Sequence, residues 1–394
     1  MKKKIAILGS TGSIGKNLIN ILKKEKNKFQ IHLLSAHSDH KTLLEQVKKF
    51  NVKNIIITDL SSYLILKKKI KKLKVNIFNS YKELDSIFKK KKIDYVMSSI
   101  IGVDGLHPTI DIIKHTKKIA IANKESIICG WGLIQKELNK HQTEFIPVDS
   151  EHFSLWYAIK NMNVNLIEKI YLTASGGPFF KLPLKKFKYI DINNALNHPT
   201  WKMGNKISID SATMINKVYE VIEAKNIFKI PFKKIDILVH PKSYIHAIVK
   251  FKNGLIKIIA HDTTMKIPIF NTLFFNTNKT IKTSDLNLDI LNNLNLIKID
   301  PKRYPMIKLL NLLKDKHTLY DTIVVSANDV LVNLFLQKKI KFTQINIKLF
   351  KFIKEKEFLK YRNIYPQNLN DILNLNKYVR LKVLEKVYKS SNVK

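Results

Sequence analysis

The stretch that decides the fold of the first part of the chain is KKIAILGSTGSIG, residues 3–15. Residues 3–8 have the apolar pattern of a short strand, a glycine-rich turn follows, and residues 16–24 have a helical pattern. A strand, a glycine turn and a helix in this order open a dinucleotide-binding unit, because free amides at the helix start face a pyrophosphate. The predicted cofactor contacts of this turn are Gly9, Ser10, Thr11, Gly12, Ser13, Ile14 and Gly15.

The end of the second predicted strand, residues 30–35, indicates which dinucleotide binds. An NAD-binding unit places an acidic residue there for the ribose hydroxyl. In this chain the strand is followed by Ala36, His37, Ser38 and Asp39. The hydroxyl and basic side chains favour a 2′-phosphate and therefore NADP, whereas Asp39 leaves NAD as the alternative.

Strand and helix patterns alternate up to residue 148, which predicts an α/β fold with a Rossmann-like, doubly wound parallel sheet. Further strands are predicted at residues 54–58, 75–78, 95–99, 119–122 and 144–148. We expect an NADP-binding domain at 1–149, a central α+β catalytic domain with a lid at 150–274, a polar linker at 275–302 and a helical C-terminal domain at 303–394. The helices of this last domain are predicted at 306–316, 320–338, 344–357 and 367–389.

The composition indicates a globular protein with a strongly basic surface. The 394 residues carry a formal net charge of +39, and only Arg303, Arg362 and Arg380 are arginines. Because base and phosphate readers favour arginine and the lysines are spread along the whole chain, we expect no specific nucleic-acid partner. A basic nucleic-acid-binding protein is the alternative. One cysteine and no long apolar run predict a cytoplasmic protein without membrane association.

Residues 148–152, VDSEH, place two carboxylates, a hydroxyl and an imidazole after an apolar run. In an extended backbone Asp149 and Glu151 project to one side, which predicts a pair of hard oxygen donors for a divalent cation. The alternative is a helix start, with Asp149 or Ser150 as the cap, and such a cap is compatible with metal binding. We expect His152 to be a structural residue rather than a ligand.

Three later stretches predict groups that bind or enclose a polar ligand, and the first of them suits a phosphate. Ser175 precedes two glycines, so its hydroxyl and the backbone amides are exposed together. Residues 198–204, HPTWKMG, fit a lid that excludes water, and the alternative is a surface turn with one buried tryptophan. A helix is predicted to begin within residues 207–214 and to continue through 223. Asn216, Glu220 and Glu223 share one face of this helix because of their spacing.

Residues 122–126, ANKES, follow a predicted strand, so Lys124 is a candidate to reach a ribose or a substrate hydroxyl. The alternative is an ordinary helix start, with Asn123 as the cap and Glu125 favouring the helix dipole. Cys129, a few residues further on, is expected to be a small buried residue rather than a nucleophile.

Together these motifs resemble the 1-deoxy-D-xylulose 5-phosphate reductoisomerase family. The stretches GSTGSIG, ANKES, PVDSEH, SGGPF, HPTWKMG, KISIDSATMINK and HPKSYIH match its pattern in order and spacing over essentially the whole chain. The resemblance implies NADPH- and metal-dependent rearrangement and reduction of 1-deoxy-D-xylulose 5-phosphate to 2-C-methyl-D-erythritol 4-phosphate, for isoprenoid synthesis. It also implies a homodimer and a divalent cation, Mg²⁺, Mn²⁺ or Co²⁺.

The resemblance implies a role for each matching residue. The metal ligands are Asp149, Glu151 and Glu220, which together with Lys124 form the catalytic group. The substrate contacts are Ser150, Glu151, Ser175, His198, Trp201, Met203, Ser211, Asn216, Lys217, Glu220 and Met265. Beside the glycine turn and residues 36–39, the cofactor contacts are Asn123, Lys124, Glu125 and Gly204.

Another NADP enzyme, such as a semialdehyde dehydrogenase, is a rival interpretation because it shares a glycine-rich opening. Such an enzyme requires a cysteine nucleophile, and the sequence around Cys129 has no suitable motif.

Overall fold

The computed structural model describes residues 2–89, 91–201, 203–275 and 277–391 of the chain, which folds into two compact units. The first unit comprises Met1–Ser126, Leu133–Phe153 and Thr264–Lys282. The second comprises Ile127–Gly132, Ser154–Thr263 and Thr283–Lys394. Each unit has its own hydrophobic core. The predicted domain limits at residues 149, 274 and 302 stay predictions.

Two sheets organise the described residues, one in each unit. Their strands are β1 (Lys3–Leu8), β2 (Phe29–Ala36), β3 (Asn54–Ile57), β4 (Asn76–Phe78), β5 (Tyr95–Ser98), β6 (Lys118–Ile121), β7 (Glu144–Pro147), β8 (Ile167–Ala174), β9 (Ile235–Val239), β10 (Ile245–Phe251), β11 (Ile256–Ala260) and β12 (Ile297–Lys298).

The helices lie between and after these strands. They are α1 (Ser13–Lys23), α2 (His40–Phe50), α3 (Leu60–Lys69), α4 (Leu84–Phe88), α5 (Leu106–Ile113), α6 (Lys124–His141), α7 (Ser150–Ile159), α8 (Ile192–Leu196), α9 (Asn205–Thr213), α10 (Ile215–Phe228), α11 (Lys266–Phe274), α12 (Leu288–Asn292), α13 (Leu319–Leu336), α14 (Phe342–Ile353), α15 (Lys356–Leu359) and α16 (Leu369–Ser391). Short 3₁₀ helices occur at Tyr81–Glu83, Val103–Gly105, Val164–Leu166, Leu184–Tyr189, Phe232–Lys234, Pro305–Asn311 and Lys360–Asn363.

The seven-stranded sheet of the first unit is parallel and has the order β4-β3-β2-β1-β5-β6-β7. This confirms the predicted doubly wound sheet. Its strand order reverses between β1 and β5, and ligands of such sheets bind at this point, outside the carboxyl ends of the strands. Ile5 and Ile7 of β1 share the core with Leu18 and Leu22 of α1. The strand and the helix on either side of the glycine turn are therefore fixed to each other.

The five-stranded sheet of the second unit has the order β11-β10-β8-β9-β12, with β8 and β9 parallel and the other pairs antiparallel. Leu172 and Val249 on one face share a core with Leu155 of α7 and Val221 of α10. Because strand side chains alternate, the edge strand β11 presents residues 256 and 258 on the opposite face. This mixed sheet packed on helices confirms the α+β character predicted for the central region.

Two predictions of helical structure are wrong. The helix expected through residue 223 is two helices, α9 and α10, because Met214 between them adopts the left-handed conformation with φ of 68°. The Met214 N–H donates to the Ser211 carbonyl at 3.1 Å, which closes a turn tighter than an α-helix. The helix expected at 306–316 is the 3₁₀ helix Pro305–Asn311, in which the buried residues Met306 and Leu309 follow the three-residue repeat of that helix.

The segment predicted as a linker contributes structure of its own. It contains α12, and β12 adds an edge strand to the second sheet, with Ile297 opposite Val239 of β9. The polar composition of this segment did not reveal the pairing, because a two-residue strand has too few residues to show an alternating pattern.

Among the described helices, α13 has the length and apolar composition of a membrane span. Its mean hydropathy is 1.4, but 89% of it is buried inside the protein. Helix α13 packs against α14 and α16. Packing within the second unit accounts for its apolar composition.

Candidate active site

The glycine turn between β1 and α1 has the predicted form. Gly9 has φ of 82°, and a Cβ there would lie 2.7 Å from the Ser99 carbonyl oxygen. A Cβ at Gly15 would lie 2.4 Å from the Gly9 oxygen, so the helix packs on the strand too closely for any side chain. The Gly9 N–H donates to Ser35 Oγ at 3.1 Å, which ties the turn to β2. The first turn of α1 therefore presents its backbone amides at the carboxyl edge of the sheet.

The four predicted cofactor contacts at the end of β2, residues 36–39, differ in their exposure and in their hydrogen bonds. Ala36 is buried, whereas His37 and Ser38 are exposed. The Nδ1 atom of His37 lies 2.9 Å from Thr58 Oγ1, which fixes the ring. Asp39 Oδ1 accepts a hydrogen bond from the Thr42 N–H at 3.0 Å and caps α2. The carboxylate that favoured NAD in the sequence thus has a structural role.

The start of α6 combines a cap with a buried ion pair. Asn123 Oδ1 accepts from the Ser126 N–H at 2.8 Å, and its Nδ2 donates to the Gly102 carbonyl at 2.8 Å. The cap alternative is therefore correct for Asn123. Lys124 Nζ lies 2.8 Å from Asp149 Oδ2, and these side chains are only 9% and 22% exposed. Glu125, in the first turn, is also buried.

Asp149 and Glu151 lie near each other, and of the two predicted geometries the helix start is correct and the extended backbone is wrong. The strand β7 ends at Pro147 and α7 begins at Ser150, so Glu151 belongs to the first helical turn and not to an extended backbone. Asp149 Oδ1 accepts the Ser150 N–H at 2.9 Å, and Ser150 Oγ donates to Glu151 Oε2 at 2.6 Å. An oxygen of Asp149 and an oxygen of Glu151 lie within 4.8 Å of each other. The helix start itself brings the two carboxylates together.

His152 is the residue that sequence reasoning set aside at this position. It is fully buried, and one of its ring nitrogens lies within 4.8 Å of an Asp149 oxygen. Its position in the sequence, directly after Asp149 and Glu151, is the feature that could have indicated this proximity. Its position makes it part of the surroundings of Asp149.

In the second unit, Ser175, His198 and Ser211 come together although they lie on three separate segments. His198 Nε2 is 3.0 Å from Ser175 Oγ and 3.1 Å from Ser211 Oγ. Burial lowers the pKa of His198 to about 4, so the ring is neutral at neutral pH. Its Nδ1 accepts the Trp201 N–H at 3.0 Å, so the hydrogen is on Nε2. The cluster therefore offers two hydroxyls and one imidazole N–H.

Helix α10 supplies a buried carboxylate with two partners on its own surface. Glu220 is 1% exposed, and it accepts hydrogen bonds from the Asn216 amide and the Lys217 ammonium. The predicted shared face of Asn216 and Glu220 is confirmed. The ammonium of Lys217 and the amide of Asn216 compensate in part for the hydration that this buried carboxylate loses.

The predicted lid is anchored at its start. The Trp201 ring meets the His246 ring edge to face at 6.1 Å, and Thr200 Oγ1 lies 3.3 Å from Ser243 Oγ. Trp201 is only partly buried, so the alternative of a surface turn with a buried tryptophan does not hold. Lys202 lies outside the described residues. The remaining contacts predicted nearby are the half-buried Met203 and the exposed Gly204, which caps α9.

Met265, another predicted substrate contact, immediately precedes α11 in the first unit. Its side chain is partly buried and packs against the core of that unit.

Family models match the chain in three consecutive parts. Residues 5–131 match 1-deoxy-D-xylulose 5-phosphate reductoisomerase, residues 145–228 match its C-terminal domain, and residues 262–382 match a further DXP reductoisomerase C-terminal domain. The 1-deoxy-D-xylulose 5-phosphate reductoisomerase of Pelagibacter ubique is 56% identical over 382 residues, which cover 97% of this chain and 98% of that protein. The chain belongs to the 1-deoxy-D-xylulose 5-phosphate reductoisomerase family.

Solved reductoisomerase structures share the fold of this family member. The Zymomonas mobilis enzyme in complex with NADPH is 30% identical, with a TM-score of 0.86 over 98% of this chain and 99% of that one. A DOX-P reductoisomerase in complex with NADPH, fosmidomycin and magnesium is 30% identical, with a TM-score of 0.89 over 98% of both chains. The resemblance seen in the sequence motifs is thus confirmed along the whole fold.

Cys129 is fully buried, as predicted, which argues against a cysteine-dependent dehydrogenase.

A buried contact in the second unit involves a residue that the sequence motifs do not indicate. In the helical C-terminal region, where no motif indicates chemistry, Asn328 Nδ2 donates to Asp210 Oδ1 at 2.8 Å. Asp210 immediately precedes Ser211, and no short motif connects it with a residue 118 positions away.

Proposed function

We propose that the protein converts 1-deoxy-D-xylulose 5-phosphate to 2-C-methyl-D-erythritol 4-phosphate, using NADPH and a divalent cation. The observation that carries the proposal is the cluster of Ser175, His198 and Ser211 in a chain of this family. Two hydroxyls and a neutral imidazole N–H suit the acceptor oxygens of a phosphate monoester. Asn216 and Lys217 extend this site in the proposal, together with the lid residues Trp201 and Met203.

Asp149, Glu151 and Glu220 are the residues proposed to hold the cation. The fit is supported by the oxygens of Asp149 and Glu151, which lie within 4.8 Å of each other, and by the preference of Mg²⁺, Mn²⁺ and Co²⁺ for carboxylate ligands. When bound, the cation supplies Lewis-acid polarisation of the substrate carbonyl and NADPH supplies hydride. The Ser150 hydroxyl, which donates to Glu151 at 2.6 Å, orients that carboxylate.

Lys124 and Ser150 are proposed to contact the substrate near its reacting carbons. Its ammonium holds a proton at Nζ, 2.8 Å from Asp149 Oδ2. Because the side chain is 9% exposed, water competes weakly for that proton. Lys124 therefore orients Asp149 and places a proton donor next to it.

The first unit is proposed to bind NADPH along the carboxyl edge of its sheet. The amides of the glycine turn suit the pyrophosphate, and the exposed His37 and Ser38 suit the 2′-phosphate. Two acidic side chains of this region have structural roles, because Asp39 caps α2 and Asp59 caps α3. Hydrogen bonds from Ser61 and Ser62 lower the pKa of Asp59 to about 2.

The protein is further proposed to act as a homodimer in the cytoplasm. Support for the dimer comes from the edge strand β11, where Ile256 and Ile258 are 58% and 47% exposed and Leu255 beside them is 65% exposed. An apolar sheet edge of this kind is a liability unless another surface covers it. A second copy of the chain is the proposed cover. A single buried cysteine is consistent with a reducing compartment.

The test of the proposed function is NADPH oxidation on addition of 1-deoxy-D-xylulose 5-phosphate, with Mg²⁺ and with a chelator. We expect turnover that stops with the chelator and returns with excess Mg²⁺. Asp149→Asn and Glu220→Gln are each expected to lower kcat/KM roughly a hundredfold or more, because a ligand of the cation is lost. Asp236→Asn, which alters an exposed carboxylate of β9 paired with Lys169, is the control and is expected to retain activity. Folded, metal-supplied wild-type protein without turnover would refute the proposal.

A further inference from the structure

The helix α9 carries a buried carboxylate next to a proposed phosphate contact. Asp210 is 2% exposed, and it immediately precedes Ser211, whose Oγ lies 3.1 Å from His198 Nε2. A carboxylate removed from water requires hydrogen-bond donors or cations around it. The hydrogen-bond and ion-pair partners of Asp210 therefore fix the position of the C-terminal end of α9.

The partners of Asp210 come from α9 itself and from the C-terminal helices. Asn328 Nδ2 of α13 donates to Oδ1 of Asp210 at 2.8 Å, and Lys206 Nζ lies 3.0 Å from its Oδ2. Lys206 also lies 3.0 Å from Asp329 Oδ1. Arg380 of α16 completes the group at 3.5 Å from Asp329 Oδ2. The network connects three helices through two carboxylates and two cations.

The ends of α9 provide weaker anchors than this network. The residue at its N-cap, Gly204, is exposed and provides no side-chain hydrogen bond to the helix. At the other end the chain turns at Met214, which has φ of 68°. A helix with such ends depends on tertiary contacts for its position. The contact from Asn328 acts directly at the residue before Ser211.

The nature of the two side chains also matters. Asn328 is fully buried, and its neutral amide gives a donor to Asp210 without adding a charge. A second carboxylate at position 328 would oppose Asp210 at hydrogen-bond distance, and like charges at this distance repel strongly in a buried setting. The pair therefore requires a donor at residue 328.

We propose that Asn328 is a positioning residue that, through Asp210, holds Ser211 in place for the phosphate group of the substrate. The inference rests on the proposed function, because it concerns the same phosphate site. It gives the C-terminal helices a part in substrate binding, although Asn328 itself contacts the site only through α9.

The structure offers a matched control on the same helix. Ser326 of α13 donates to Asn376 Oδ1 of α16 at 2.7 Å, and Ser326 is fully buried like Asn328. Ser326→Ala therefore breaks a buried hydrogen bond between α13 and α16 and leaves the donor to Asp210 in place. Asn328→Ala and Asn328→Asp remove the donor to Asp210, and the second variant keeps the size of the side chain.

The experiment compares these three variants with the wild type in steady-state kinetics and in amide hydrogen exchange of residues 205–213. We expect both Asn328 variants to raise KM for 1-deoxy-D-xylulose 5-phosphate roughly tenfold, with Asn328→Asp at least as affected as Asn328→Ala. KM for NADPH is expected to stay at the wild-type value. In Asn328→Ala the amides of 205–213 are expected to exchange faster than in Ser326→Ala.

The outcomes separate this inference from the proposed function. If the wild type turns over and Asn328→Ala changes KM no more than Ser326→Ala does, Asn328 is only structural and the inference fails. If the wild type does not turn over, the proposed function fails, and hydrogen exchange alone decides the positioning role. Equal exchange at 205–213 in Asn328→Ala and Ser326→Ala would then overturn it.

Discussion

The ammonium of Lys124 lies 2.8 Å from Asp149 Oδ2, and the two side chains are 9% and 22% exposed. A cation and a proposed metal ligand are thus in contact at the carboxyl edge of the first sheet. The ammonium pairs with the carboxylate, and a divalent cation bound to Asp149 would lie close to this positive charge and be repelled by it. Lys124 is therefore expected to have two effects that can be measured separately: it donates a proton during the reaction, and it weakens binding of the divalent cation.

Replacement of Lys124 by glutamine is expected to change turnover and metal binding in opposite directions. In Lys124→Gln, kcat should fall roughly a hundredfold because a proton donor is lost. Mn²⁺ binding without substrate should become about tenfold tighter, because a nearby like charge is removed. Activity assays and Mn²⁺ titration followed by electron paramagnetic resonance measure the two effects. Lys118→Gln, which alters an exposed pair with Glu144 at 3.2 Å, should change neither. Weaker Mn²⁺ binding in Lys124→Gln would contradict the opposition of charges.

His198 gives a prediction for stability against pH. Burial lowers its pKa from 6.5 to about 4, so the unfolded chain takes up the proton first as the solution is acidified. The contribution of His198 to stability is therefore full above pH 6.5 and is lost between pH 6.5 and 4. Melting temperatures of His198→Gln should fall less steeply over this interval than those of the wild type.

His107 serves as a control because its pKa is shifted in the opposite direction from that of His198. Its hydrogen bond with Asp111 raises its pKa above 6.5, so its contribution is present at low pH and is lost as pH rises through the raised value. His107→Gln should therefore lose stability at acidic pH relative to the wild type, and its melting temperature should fall more steeply with acid. Identical slopes for the wild type and both variants would show that neither imidazole has the assigned environment.

Cofactor preference is expected to depend on His37. The wild type should have a lower KM for NADPH than for NADH, because the exposed imidazole and Ser38 suit a 2′-phosphate. His37→Glu should lower the ratio of kcat/KM for NADPH over NADH by roughly tenfold or more. Thr58→Val removes the hydroxyl that lies 2.9 Å from His37 Nδ1 and should lower the ratio by a smaller factor. An unchanged ratio in His37→Glu would remove this residue from the cofactor site.

The edge strand β11 gives a prediction for the oligomeric state. Wild-type protein should sediment as a dimer, and Ile258→Lys should shift it toward the monomer because the charge opposes burial of that strand. Leu381→Lys on α16 replaces another exposed apolar residue, 67% exposed, and should leave the dimer intact. Analytical ultracentrifugation over a range of concentrations measures the shift. A wild type that sediments as a monomer at all concentrations would rule out the dimer.

Much of the first unit was predictable because its signals are local. The strand, glycine turn and helix of residues 3–24 follow from neighbouring residues, and so does the repeated alternation that builds a parallel sheet. The face shared by Asn216 and Glu220 depends only on the helical repeat. The sequence was less informative at Met214, where no glycine or proline marks the break between α9 and α10.

The sequence by itself determined the family, the parallel sheet and the types of side chain available for metal and phosphate. Only the tertiary structure decided which of them meet: Lys124 with Asp149, Ser175 and Ser211 around His198, and Asn328 with Asp210. Local patterns fix the conformation of a few consecutive residues, whereas these contacts join segments far apart in the chain. Such contacts form only when the cores pack and when buried polar groups must find partners.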